Sequence, residues 1–492
     1  MRLFLLTLLA FAVRLQLFLT TDEPTGWDGY SYVVQVERLV SEGRLHWPDA
    51  SWVTYFLAAL HVVIPSAVVA VKVGACLLSA LVVPAAWRLG RSLALEHGGW
   101  LLALWAAASP TLTHLAGDFA KNLGVVAPLL LVLAWRRGQH FVVLALGVLL
   151  AAVAHRLGAA LLIAAGLGAV IGMLASTLSD RRVLGAAAGL ALVFVALSAA
   201  LPNLLHPADL ERVQTQLTFS PGLPPPLPYF ALRETSWPQR IELLLAWPAL
   251  AFGCWSFFGR RERRVELGAL LVPLTVCLFP LWRTDSLDVG YRLALMAPVF
   301  ALPLFVLGLA SPPLPGSLRL GASFAALQPR SPGVPLDRLR PGGRQLVLVF
   351  AVLFARTGFD PQVTPPYAQW RALIARIPRP MPALLIAPQG FNFLYDHETG
   401  HESLAWRPEP EIDHTTTWRL AWNITDGEWA ELAAGLEPQP VRLSAEVVYL
   451  REDVWDRFLE RARRDADDAL LSRLADWRNP SKVRPHSLQR NH

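Results

Sequence analysis

A few polar patches in an otherwise apolar chain carry residue types that could do chemistry. Asp28 stands in GWDGYSY, within a stretch (residues 21–52) that also holds Asp22, Glu23, Asp49 and several aromatics. A carboxylate at a lipid–water boundary is partly desolvated, so it holds a proton more readily and becomes a better base near neutral pH. The alternative is a set of solvated acids capping short interfacial helices. In GDFAKN, Asp118 lies three residues before Lys121. At a helix start that spacing sets both on one face, with the acid favoured at the positive end. Such a pair suits a carboxylate that orients an acceptor beside a lysine that meets a phosphate, and equally an ordinary surface ion pair.

His155-Arg156 falls between two very apolar runs, where an arginine is expensive unless something anionic compensates it. Arg283, Asp285, Asp288, Tyr291 and Arg292 crowd one later segment. The planar guanidinium fork grips phosphate oxygens in pairs, so arginines clustered at one membrane face point to a phosphate-bearing lipid. Mutual salt bridges within the segment are the competing explanation. Lys72 is a weaker candidate of the same kind, since snorkelling explains it as well.

Composition names the scaffold that must position these residues. The chain of 492 residues is 54% hydrophobic and 17% charged. A hydrocarbon core about 30 Å thick needs about 20 helical residues, and lipid satisfies no backbone polar group, so the recurring apolar runs must be helices. The predicted fold class is a polytopic α-helical membrane protein with about eleven transmembrane helices and a small α/β C-terminal soluble domain. The spans fall at residues 3–20, 67–87, 100–115, 122–135, 141–154, 157–178, 183–201, 241–258, 265–282, 293–310 and 345–355. The first lacks a small-residue cleavage site and reads as a retained helix. Arg14 within it costs about 3 kcal/mol unless it snorkels or pairs with a neighbouring helix.

Charge sets the orientation. Residues 52–64 are apolar but short, closed by Pro65, and read as an interfacial or re-entrant helix. With that segment left out, the loops carrying Arg88 and Arg91, Arg136 and Arg137, Arg181 and Arg182, Arg260 to Arg264, and residues 311–344 all face the cytoplasm. The outward loops are then 21–66, 116–121, 155–156, 202–240 and 283–292, which hold every patch above except Lys72. PGLPPPLPY (221–229) gives one of them polyproline stiffness suited to a lid. The net charge of +6 therefore records membrane orientation, not a nucleic-acid face. Cys76, Cys254 and Cys277 lie inside apolar runs and form neither a disulfide framework nor a metal spacing.

From residue 358 onward the composition turns soluble. ALLIA (383–387), TTWRLAW (416–422) and EVVYL (446–450) read as strands, and Asp453 opens a helix with an apolar stripe from Trp455 to Trp477. The predicted organisation is a membrane domain over 1–357 and an extracytoplasmic α/β domain over 358–492. No Gly-rich nucleotide loop, HExxH or serine-nucleophile motif occurs, so any activated substrate must be brought by the membrane itself.

The order of these features resembles the GT-C superfamily of integral-membrane glycosyltransferases, of the protein O-mannosyltransferase and aminoarabinose-transferase types. The features are an arginine in the first span, DGYSY followed by EGRLHWP, an apolar interfacial helix, GDFAKN, HR opening the sixth span, DVGYRLALMAP, and an outer C-terminal domain. The resemblance implies a bacterial inner-membrane enzyme that uses a polyprenyl-phosphate sugar as donor and a glycan, lipid or protein as acceptor. Transfer would occur on the outer face with inversion. It implies Asp28 as the base that deprotonates the acceptor and Asp118 as a second acid. Lys121, His155, Arg156, Arg283, Arg292 and Tyr32 would bind substrate, most of them at the donor phosphate. A divalent metal is left open. The usual DE-x-x-Y form is altered here, since Pro-Thr follows Asp22-Glu23, so Asp22 and Asp28 both stand as candidate bases. Asp28 is preferred because DGYSY begins the helix leading to EGRL. A transporter or flippase of lipid-linked glycans is disfavoured by charges gathered at one mouth and by the lack of repeats. A non-catalytic glycan-binding subunit would use Trp406, Trp418, Trp422 and Trp429 of the outer domain.

Overall fold

The computed structural model describes residues 1–26, 28–46, 51–135, 141–177, 236–278, 287–309, 354–358, 365–382, 384–387, 390–405, 416–422, 424, 426–433, 438–445 and 447–464. Its helices begin with α1 (Arg2–Phe18), α2 (Gly29–Glu42), α3 (Trp52–Val63), α4 (Ala67–Ala108), α5 (Pro110–Asp118) and α6 (Ala120–Leu133). Next come α7 (Phe141–Ala154), α8 (Arg156–Thr177), α9 (Trp237–Gly259), α10 (Arg264–Leu278) and α11 (Leu287–Leu309). The last are α12 (Tyr367–Ile374), α13 (Phe391–Thr399), α14 (Asp426–Ala433) and α15 (Glu452–Arg464). The expected span 183–201, most of 345–355, the proline-rich segment 221–229 and Arg283 lie outside the described residues. Two compact units result, one of Met1–Thr20, Asp49–Leu57 and Lys72–Asp360, the other of Thr21–Pro48, Ala58–Val71 and Pro361–His492.

The first unit is helical and apolar. Ala67–Leu93, Arg156–Thr177 and Trp237–Gly259 are long and apolar enough to cross a membrane, and several shorter apolar helices accompany them. Helix α4 is not one straight rod. A Cβ on Gly90 would lie 2.1 Å from the carbonyl oxygen of Gly98, whereas eight residues of straight helix span about 12 Å. The run therefore doubles back between its Arg88 and Trp100 ends, where the sequence pattern predicts a turn between spans. Helices α8 and α10 meet backbone to backbone through small residues. Added Cβ atoms on Gly168 and Gly172 would lie 1.9 and 2.0 Å from the carbonyl oxygens of Gly268 and Arg264. This is the small-xxx-small contact by which helices associate where lipid removes the hydrophobic drive. The short helix α3 forms where predicted, and its start is pinned to the last turn of α7. Ser51 Oγ donates to Ala154 O at 2.6 Å and Trp52 Nε1 to Leu150 O at 2.8 Å.

One expected span needs correction. Residues 100–115 do not form a continuous helix; α4 ends at Ala108 and α5 begins at Pro110. Pro110 has no N–H, so the carbonyl of Ala106 loses its helical partner. The guanidinium of Arg14, 0% exposed, takes that carbonyl instead: Nη2 donates to Ala106 O at 3.0 Å and Ser109 O at 3.2 Å, and Nε to Thr113 Oγ1 at 2.9 Å. Of the two roles open to Arg14, the structure shows pairing with a neighbouring helix. On the other side of the break, Glu242 of α9 accepts from Thr111 N at 3.0 Å, Ser109 Oγ at 3.0 Å and Trp105 Nε1 at 3.1 Å. A cation thus meets the carbonyl end of one helix and an anion the amide end of the next, as helix dipoles favour.

In the second unit a five-stranded sheet runs in the order β2 (Glu402–Ala405), β1 (Leu384–Ala387), β3 (Thr417–Trp422), β5 (Val447–Arg451), β4 (Val441–Arg442). β1 pairs parallel with β2 and β3, and β5 pairs antiparallel with β3 and β4. Ala421, Leu432, Val448, Leu450, Val454, Trp455 and Phe458 form the core beneath it. The tryptophans considered as glycan platforms pack inward to differing degrees. Trp418 stacks on Tyr449 with ring centroids 4.4 Å apart, Trp422 meets Phe391 edge-on at 5.9 Å, and Trp429 packs against the core. Trp406 lies outside the described residues. Arg419 and Glu452, both nearly buried, close a bidentate pair at 2.5 Å.

Candidate active site

In the second unit, Asp28 sits immediately before α2, as the DGYSY pattern predicts, and its side chain makes no capping hydrogen bond to that helix. Glycine brackets it for steric reasons. Gly26 has φ +71°, a conformation that favours glycine. A Cβ on Gly29 would lie 2.9 Å from the Pro24 side chain. Tyr32, one turn into α2, is buried. The loop is clamped by the C-terminal segment. Tyr367 Oη donates to Gly26 O at 2.7 Å, and Tyr30 Oη donates to Glu23 Oε2 at 2.6 Å. Arg371 binds both oxygens of Glu23, reaches Tyr30 Oη at 2.6 Å and donates through Nε to Glu398 at 2.6 Å.

Glu23 is thus the anchor of an ion pair, which the sequence pattern did not reveal. Burial and the bond to Glu23 push the Tyr30 hydroxyl above its usual range. Further along α2, Glu37 Oε2 lies 3.0 Å from His397 Nδ1 and raises the imidazole's proton affinity, while His46 Nε2 lies 3.1 Å from Asp396 Oδ2. Burial raises the Asp396 carboxyl, and Ser403 Oγ donates to it at 2.5 Å.

In the first unit, the expected Asp118–Lys121 face does not form. Asp118 closes α5, Phe119 breaks the helix with φ −134° and ψ 58°, and Lys121 belongs to α6. Asp118 therefore lies at the negative end of a helix rather than the positive end, and it pairs with His114 one turn earlier, Oδ2 to Nε2 3.4 Å. Phe119 becomes the hub. Its ring lies 6.1 Å from that of His114, and the guanidinium of Arg292 from α11 sits 4.4 Å over it. The structure thus brings Arg292 to the GDFAKN junction, on which Asp118 and Lys121 stand half-buried. His155 and exposed Arg156 form the α7–α8 turn, where Leu157 N donates to His155 Nδ1 at 3.1 Å. His114 and Glu242 escaped the sequence-based selection. An acid within an apolar run is itself a functional signal, and Ser-Pro marks a break.

Among the described residues, no group of three or more His, Cys, Asp or Glu side chains is placed to hold a metal ion. No family model matches the chain, and no characterised protein matches it by sequence at a significant level. Solved structures do match. ArnT from Cupriavidus metallidurans bound to undecaprenyl phosphate superposes with a TM-score of 0.55 at 13% identity, over 91% of this chain and 97% of that one. Its apo state gives 0.51 at 14% identity, over 92% and 98%. An Archaeoglobus fulgidus oligosaccharyltransferase gives 0.45 at 11% identity, over 81% and 62%. The chain shares the fold of ArnT.

Proposed function

We propose that the protein is a membrane glycosyltransferase that moves a sugar from a polyprenyl-phosphate-linked donor to an acceptor on the outer face of the membrane. The observation that carries this reading is the superposition on ArnT bound to undecaprenyl phosphate along nearly the whole of both chains. Asp28 is the base that deprotonates the acceptor, with inversion at the anomeric carbon. Its loop supports that role, because Tyr367 holds the backbone carbonyl of Gly26 and Tyr30 ties α2 to Glu23, which fixes the segment on which Asp28 stands. Asp22 is the weaker base candidate, since DGYSY alone opens a helix. Asp118 is the second acid near the acceptor. Lys121, Arg156, Arg292 and Arg283 serve the donor phosphate, and Tyr32 and His155 shape the substrate site. The finer organisation follows the same reading: eleven spans, a cytoplasmic N-terminus, and a soluble α/β domain over 358–492 outside a bacterial inner membrane.

Asp28→Asn tests it. Transfer of sugar from an undecaprenyl-phosphate donor is expected to fall by at least about 10³-fold, within the range of lost general-base catalysis, while membrane insertion and thermal unfolding stay unchanged. Full transfer by the Asn variant would remove Asp28 from the mechanism.

A further inference from the structure

Asn122 is the third residue of α6, directly after Lys121 and close in sequence to Phe119, over which Arg292 sits. It is 0% exposed, and neither its Oδ1 nor its Nδ2 has a hydrogen-bond partner among the described residues. Burying an amide without partners opposes folding, so a group of this kind calls for a reason beyond the resting fold. The helix start on which it stands carries positive charge. Helix α6 starts at Phe119 with no side-chain cap, so the positive end of its dipole adds to the charges of Lys121 and Arg292.

The chemistry of the amide narrows the guest. A carboxamide presents N–H donors at one atom and lone pairs at the other. Phosphate oxygens only accept, so they would satisfy Nδ2 and repel Oδ1. A hydroxyl both gives and takes, and a pair of neighbouring hydroxyls on a sugar matches both ends of the amide. We propose that Asn122 hydrogen-bonds a hydroxyl of the substrate, beside the phosphate held by Lys121 and Arg292, and so contributes to sugar or acceptor selectivity. This rests on the glycosyltransferase reading above and adds a residue to it.

The test compares the full-length wild type with Asn122→Leu, a change of similar volume without polar atoms. Without ligand, the variant's unfolding temperature should equal or exceed that of wild type. A drop of about 5 °C or more would mean that the protein itself satisfies the amide, and would overturn the proposal. Binding of undecaprenyl phosphate should stay within about twofold. Binding of undecaprenyl-phosphate glucose should weaken about tenfold, the cost of about 1.4 kcal/mol of lost hydrogen bonding, which places the hydroxyl on the donor. Unchanged binding of both lipids with a tenfold rise in KM for the acceptor places it on the acceptor. Equal losses for both lipids would assign the amide to phosphate, and no change in any of these constants would leave it without a substrate; either result overturns the proposal. A wild type that binds neither lipid would instead overturn the glycosyltransferase reading, a failure visible without the variant.

Discussion

Replacing Glu242 by Leu tests whether a charge on each side shapes the α4–α5 break. The carboxylate accepts from Trp105 Nε1, Ser109 Oγ and Thr111 N, and the residue is only 8% exposed. Leucine strands these donors, each at a cost of about 1–3 kcal/mol unless it finds another acceptor. Some of the three find other acceptors, so about 3–5 kcal/mol is expected rather than the full sum. Glu242→Gln keeps an oxygen for Ser109 and Thr111 but turns its NH2 toward Trp105 Nε1, which gives about 1–3 kcal/mol. Arg14→Met frees the carbonyls of Ala106 and Ser109 and should cost as much as Glu242→Leu. Because both residues act on one break, the double variant should cost less than the sum by about 0.5–3 kcal/mol. Equilibrium unfolding in mixed micelles, followed by circular dichroism, measures all four. A loss below about 1 kcal/mol for Glu242→Leu, or strict additivity in the double variant, would refute the idea that charge holds the break. Helix α5 carries Asp118 at its far end, so the proposed transfer activity should fall in the same rank order as stability.

Two further outcomes follow from other parts of the molecule. Hydrogen bonding to Glu37 raises the His397 pKa above its ordinary 6.5, so its contribution to stability is fully present below about pH 6.5 and fades as pH rises through the folded-state value. Thermal unfolding between about pH 6 and 9 should therefore show a wild-type decline that His397→Asn lacks, and parallel curves would contradict it. Gly168→Leu forces a Cβ to within 1.9 Å of the Gly268 carbonyl oxygen and should destabilise by about 1–3 kcal/mol or more. Gly166→Ala on the same helix meets nothing within 4 Å and should be neutral or slightly stabilising, so equal effects from the two would deny that α8 and α10 associate through glycine.

Hydropathy and turn residues made much of this fold legible. Residues 52–64 form a short helix of their own, DGYSY opens α2, HR opens α8, and the three strands in the soluble region each appear within one residue of the predicted place. Strands β2 (ESLA) and β4 (VR) lack the apolar or aromatic run that marks the other three. What could not be read were partners distant in sequence. Glu23 belongs to Arg371 and Glu37 to His397, and no local spacing encodes pairs hundreds of residues apart. The Asp118–Lys121 expectation failed for a local reason, the non-helical backbone of Phe119. Spacing i,i+3 implies one face only if the helix continues through it, and GDFAKN contains no proline to announce the break.

The intramembrane arginines show how burial cost sorts structural from functional cations. Arg14 gives three of its hydrogen bonds to the carbonyls and hydroxyl around the α4–α5 break and a longer one to Ala10 O at 3.4 Å. Arg264, 3% exposed, closes helix ends in the same way, binding Ala175 O, Phe257 O at 3.0 Å and Phe258 O at 3.3 Å. A guanidinium has five N–H donors and no acceptor, so one spent on backbone carbonyls cannot also grip a phosphate without opening the helix end that it seals. Substitution of Arg14 or Arg264 should therefore act through folding. Arg156 stands exposed at a helix-opening turn, and Arg292 lies over the ring of Phe119. Under the proposed function, Lys121, Arg156 and Arg292 are therefore the candidates for the donor phosphate, and the deeply buried Arg14 is not.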